Sequence, residues 1–105
     1  MARRLELHEE LCSNLGSRNV YFQPPASVKI KYDPTGAIVY KIADRNDLKA
    51  DDIRYRGMRR YEVTFITRDP DSEIPDKLLD YFQYIRHERS YPADNLHHDV
   101  FTIYY

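Results

Sequence analysis

The 105 residues carry 16 Lys plus Arg against 17 Asp plus Glu, a formal net charge of −1, so no global field draws the chain to DNA, RNA or an anionic membrane. This length supports one domain with one modest core and leaves little room beside it for a deep enzymatic cleft. Cys12 is the single cysteine, which excludes an intramolecular disulfide and an all-cysteine zinc site; with no long apolar run and an amphipathic stretch after Met1-Ala2-Arg3-Arg4, the chain reads as cytoplasmic, with neither signal core nor membrane span.

From Arg3 to Leu15, Leu7, Leu11 and Leu15 recur every four positions, which predicts a first helix ended by Gly16. Val20-Tyr21-Phe22-Gln23 reads as a short edge strand, because Pro24-Pro25 cannot donate to a ladder. Val28 to Tyr32 alternates apolar and basic residues and predicts a second strand; Asp33-Pro34-Thr35-Gly36 is a turn, and Ala37 to Ile42 is apolar enough for a central strand. Ala43 to Gly57 is polar and long, a projecting loop. In Arg59 to Thr67, Tyr61, Val63 and Phe65 alternate with Glu62 and Thr64, the best-patterned strand. Asp71 or Ser72 is placed to cap a second helix with Pro75 in its first turn. Its face runs through Ile74, Leu78, Phe82 and Ile85 and fades near His87. Ser90 to Asn95 reads as a Pro-containing loop and His98 to Tyr105 as a closing strand. The expected fold is one α+β domain over residues 1–105, in the order α-β-β-β-β-α-β, with two helices on one face of a mainly antiparallel four- to five-stranded sheet.

Chemistry-bearing groups are sparse. His97-His98-Asp99, with Asp94 and His87, is the one group resembling metal ligands, but neighbouring strand side chains point to opposite faces, so solvated polar residues are the preferred reading. Asp69, Asp71, Glu73 and Asp76 are better explained as acidic residues at a helix start, where free N–H groups and the helix dipole favour them. Cys12 falls on a leucine-rich helix and reads as a packed thiol. The expectation is therefore a non-enzymatic chain with no cofactor and no metal. Arg54, Arg56, Arg59 and Arg60, followed by Tyr61, form the local basic cluster. It supports three readings: salt bridges to Asp44, Asp47, Asp51 and Asp52 of a neighbouring copy, phosphate contacts with base stacking, or plain solvated charge. Ten Tyr and four Phe with no Trp suit half-buried strands and protein interfaces alike.

Asn19-Val20-Tyr21-Phe22-Gln23-Pro24-Pro25, Asp69-Pro70-Asp71-Ser72-Glu73-Ile74 and the stretch from Ala93-Asp94-Asn95-Leu96-His97-His98 to Phe101-Thr102-Ile103-Tyr104-Tyr105 together resemble the tail terminator or tail-to-head joining family of long-tailed bacteriophages. The link between Tyr32 and Ile38 is longer than in that family, and Phe82 to Ser90 diverges from it. The resemblance implies a virion subunit, assembled in the host cytoplasm into a six-fold homo-oligomeric ring. Such a ring ends tail-tube growth and contacts the tail-tube protein and a head-completion or connector protein, with DNA passing through it without specific binding. Candidate contact residues are Asp47, Asp51, Asp52, Arg54, Arg56, Arg59, Arg60, Tyr21, Phe22, Tyr104 and Tyr105. The alternatives are another neck or connector role and, from a different class, a nucleic-acid-binding module built on Arg54 to Tyr61.

Overall fold

The computed structural model describes residues 2–32, 35–43 and 57–105. The leucine repeat forms α1 (Ala2–Leu15), closed by Gly16, whose φ of 82° and N–H to the Cys12 carbonyl (2.8 Å) end the helix. Three strands follow, β1 (Val20–Phe22), β2 (Ala37–Ile42) and β3 (Arg60–Thr67), then α2 (Ile74–Tyr81), β4 (Ile85–Ala93) and β5 (Leu96–Tyr104). The strands form one sheet in the order β1-β2-β3-β5-β4, parallel between β1 and β2 and antiparallel elsewhere. This is the expected α+β fold with two helices and a mainly antiparallel sheet.

Register puts Ile38, Tyr40, Tyr61, Val63, Phe65, Phe101 and Ile103 on one face. They form a single buried cluster with Leu7, Leu11 and Leu15 of α1 and Leu78 of α2, so both helices cover the same side. Phe65, Phe101, Leu7 and Leu11 are completely buried. The opposite face carries Lys41, Glu62, Thr64 and Thr102, where Glu88 accepts hydrogen bonds from Thr102 Oγ1 (2.7 Å) and Arg86 Nε (2.9 Å). These donors hold the Glu88 carboxyl below the usual value, the Thr102 bond contributing most.

Several boundaries differ from the sequence expectation. No strand forms over Val28 to Tyr32: a parallel β1–β2 pair needs its connection to cross over, and this stretch supplies part of it. The second helix ends at Tyr81, where Phe82 turns extended (ψ 138°). Phe82 and Ile85 still reach the core, so the four-residue spacing survives a change from helix to extended chain. The fourth strand of the chain thus follows the second helix instead of preceding it. Ser90 to Ala93 belongs to β4, not to a loop, because Asp94 and Asn95, both at positive φ (55° and 63°), make a two-residue hairpin turn. Pro92 pairs with His97 in a pair whose ladder bonds point outward, so its missing N–H costs nothing at the edge. Helix α2 is capped by the Glu73 backbone with no side-chain bond. Asp69 and Ser72 instead accept from the N–H groups of Asp71 and Ile74 in the preceding turn (2.9 and 3.2 Å).

Two changes test this packing. Gly36 has φ +101°, and a Cβ there would meet the Ile66 carbonyl oxygen at 2.6 Å; Gly36→Ala should lower stability by about 2 kcal/mol or more in urea titration, since a sheet carbonyl cannot yield as a flexible side chain would. His8 Nδ1 lies 2.7 Å from the Tyr40 hydroxyl, which Arg4 also approaches at 3.4 Å; with the guanidinium donating to the phenol oxygen, the phenol O–H donates to a neutral imidazole. Burial first, then the nearby Arg18 charge, pushes the His8 pKa below its ordinary 6.5. The folded state then binds fewer protons than the unfolded one below pH 6.5. Stability should therefore fall as pH drops through that value towards the lowered one. The urea midpoint followed from about pH 7.5 to 5 should decline less steeply in His8→Gln than in the parent chain.

Candidate interaction site

The end of the sheet where β3 begins and β5 finishes gathers much of the exposed aromatic surface. Arg59 and Tyr105 exchange both backbone hydrogen bonds (3.1 and 3.0 Å), extending the β3–β5 ladder, and Tyr104 N–H reaches the Tyr84 carbonyl at 2.9 Å. The Tyr105 ring stands edge-on to Phe82 at 6.3 Å, and Phe82 meets Tyr81 the same way at 5.0 Å. The Tyr105 hydroxyl donates to Glu10 Oε2 (2.7 Å), tying β5 to α1. Between these groups runs a groove of about 290 Å³ lined by Met58, Tyr81, Gln83, Tyr84, Tyr104 and Tyr105, with Glu10 its one charged lining residue among the described residues. Tyr81, 55% exposed, stands at its rim.

The expected contact residues separate into three groups. Arg59, Arg60, Tyr104 and Tyr105 come together here, Arg60 opposite Tyr104 in the ladder. Asp47, Asp51, Asp52, Arg54 and Arg56, with the body of the expected loop, lie outside the described residues. Its flanks fall at this same end of the sheet, since the Ala43 N–H bonds the Arg60 carbonyl (2.9 Å). Tyr21 and Phe22 sit on β1 at the far edge and are engaged within the chain: the Tyr21 hydroxyl donates to Asn19 Oδ1 (2.6 Å), and Phe22 packs against Tyr40 at 5.0 Å beneath the Arg4 guanidinium at 4.2 Å.

The β1 edge contributes a different feature. Gln23, at φ 43°, takes a left-handed conformation that its own bonds hold: its N–H meets the Tyr40 carbonyl (2.9 Å) and its Oε1 accepts from the Ile42 N–H (3.2 Å). Beyond it the Val28 N–H bonds the Pro25 carbonyl (3.1 Å), closing a tight turn. Pro25, Ala26, Ser27 and Val28 are all exposed. Asn19 Nδ2 anchors the returning chain by donating to the Lys31 and Gly36 carbonyls.

A third cluster joins His87 and Asp99 of the expected His/Asp group to Ser90, which lay outside it. His87 Nε2 lies 3.0 Å from Ser90 Oγ and 3.1 Å from Asp99 Oδ1, and Ser90 Oγ also bonds Asp99 directly. Serine and carboxylate meet the same imidazole nitrogen. A relay needs them on opposite nitrogens, so this arrangement does not activate the serine. Asp99 and Ser90, with Thr67 and His97, border a groove of about 380 Å³. His98 stacks on Tyr91 at 4.8 Å, and both also line this groove. Among the described residues no three His, Cys, Asp or Glu side chains gather as metal ligands. Cys12 is buried and its thiol pKa is raised by burial. Ser90 joins the two only because the Asp94-Asn95 turn makes a hairpin that sets it opposite Asp99.

Removing the Tyr105 hydroxyl tests the tie between β5 and α1: Tyr105→Phe should lose about 1 kcal/mol in denaturant, a charge-assisted bond reduced by its partial exposure, while leaving the groove's ring surface intact. Comparison with protein-family models, with curated proteins and with solved structures finds no match.

Proposed function

We propose that the chain is a structural virion subunit, a ring-forming protein at the head-proximal end of a long-tailed phage tail that ends tube growth and joins tail to head connector. A neighbouring head-completion or connector position in the same neck is the related alternative. What supports the reading, beside the resemblance of its three segments, is the division of its surface. An aromatic groove at Tyr81 and Tyr84 and an exposed apolar turn at Pro25 to Val28 occupy different patches of one small domain. Cyclic assemblies use such unlike patches in head-to-tail contacts, whereas a two-fold dimer uses one patch twice. The separation of these two patches carries the proposal.

Nucleic-acid binding through Arg59 and Arg60 ranks second. Arg59 is exposed beside Tyr105, as phosphate contact requires. The Tyr105 ring and hydroxyl, however, are already committed to Phe82 and Glu10, and the Glu10 carboxylate opposes a phosphate at that end. Quantitative mass spectrometry of particles purified from the phage whose genome encodes the chain is the test. A small fixed copy number relative to portal and tail-tube subunits, matching one ring, is the expected result; absence from particles overturns the structural role and leaves salt-dependent single-strand binding as the reading to pursue.

A further inference from the structure

We propose that β4 is a strap that opens locally: fixed at both ends and clipped along its middle by polar side chains, it lifts off β5 while the rest of the domain stays folded. This device goes beyond the ring reading and stands without it. Three observations carry it.

First, little apolar burial holds β4 in place. Every residue from Arg86 to Pro92 is exposed, whereas the neighbouring β5 buries Val100, Phe101, Thr102 and Ile103. An element with few buried apolar contacts opens at a lower free energy than the domain as a whole. The ladder is interrupted as well, because the register shifts between His87 and Arg89 and leaves Glu88 outside the pairing. A bulge of this kind locally disrupts the backbone bonds between strands.

Second, side chains stand in at that interruption, and they do so from both faces. On one face His87 Nε2 reaches Asp99 Oδ1 at 3.1 Å, and the Ser90 hydroxyl donates to the same oxygen. That commits the one hydroxyl proton, so the His87 nitrogen, 3.0 Å from Ser90 Oγ, faces two accepting oxygens and carries the proton itself. On the other face Glu88, the residue that the ladder omits, accepts from Thr102 Oγ1 at 2.7 Å. His87, Glu88 and Ser90 are exposed, and bonds between such groups exchange readily for bonds to water. The weakest point of the backbone pairing is thus held by clips that water can replace.

Third, the ends are fixed. Ile85 packs against the core, and beyond the Asp94-Asn95 turn Leu96 is buried. Opening is therefore an outward bowing of residues 86–92 and not the release of a chain end. Because β4 is the outermost strand and β5 keeps its pairing with β3, the core need not break. The bowing bares the row of β5 main-chain groups that β4 pairs with, and the Phe101 ring that His87 meets edge-on at 5.2 Å.

Native-state amide hydrogen exchange on the full chain, followed residue by residue in a series of low urea concentrations, tests the strap. Amides whose bonds join β4 to β5 should exchange about tenfold or more faster than those at the centre of β3, at rates that hardly change with urea, because local opening exposes little surface. Ser90→Ala, which removes one clip at an exposed position, should speed exchange across β4 by about fivefold, the worth of one ordinary hydrogen bond. Ser90 and Asp99 stand opposite each other in register, so a disulfide made by Ser90→Cys with Asp99→Cys, its formation checked by mass, should slow β4 exchange to the rate of β3. Reductant should restore the fast rate, and Cys12 is buried away from the pair. Exchange of β4 at the rate and urea dependence of β3 overturns the strap, since β4 then opens only with the whole domain. Exchange of β4 that is indifferent to Ser90→Ala, or to closing and reducing the disulfide, overturns it too.

Discussion

The helix layer is smaller than the sheet it covers, and most of the molecule's surface character follows from that mismatch. α1 has 14 residues and α2 has 8, about 21 Å and 12 Å of helix, set against five strands. They suffice to bury the centre, where β3 lies between β2 and β5 and presents Tyr61, Val63 and Phe65 to both helices. They do not reach across β4, whose interior side chains are exposed at every position. Polar pairs stand in for helix cover there: His87, Ser90 and Asp99 on one face, Arg86, Glu88 and Thr102 on the other. Where α2 ends early at Tyr81, the space beside Phe82 is left as the tyrosine-lined groove.

The two sheet edges are managed differently. β4 is long, and its Pro92, its charged side chains and the register shift between His87 and Arg89 all discourage another strand from adding to it. β1 is only 3 residues long and turns away through Gln23 and Pro24 into the exposed apolar tip. Neither edge invites open-ended pairing.

Much of the core was written in periodicity. The four-residue leucine spacing of α1, the two-residue alternation of β3 and the dense apolar run of β2 each point to one conformation, and burial of Leu7, Leu11, Tyr61, Val63 and Phe65 follows the predicted faces. The candidate site was legible only in part. Tyr104, Tyr105 and Arg59 stood out by type, yet that Tyr105 would spend its hydroxyl on Glu10, 95 positions away in the chain, has no local signature. Tyr21 and Phe22 were noticed for their chemistry, and the structure uses both within its own edge.

Sequence by itself determined which segments must be buried, because apolar spacing at 3.6 or 2 residues constrains a helix or strand face before any partner is chosen. It also determined the breaks at Gly16 and Pro24-Pro25, because these depend on φ freedom and a missing N–H within the residue. Tertiary structure alone decided that Val28 to Tyr32 would cross over as a connection and Ile85 to Ala93 would become a strand. Both stretches have ambiguous local preference: Ile85 to Ala93 took the side of β5 that β3 leaves open, whereas Val28 to Tyr32 went into the crossover that the parallel β1–β2 pair requires.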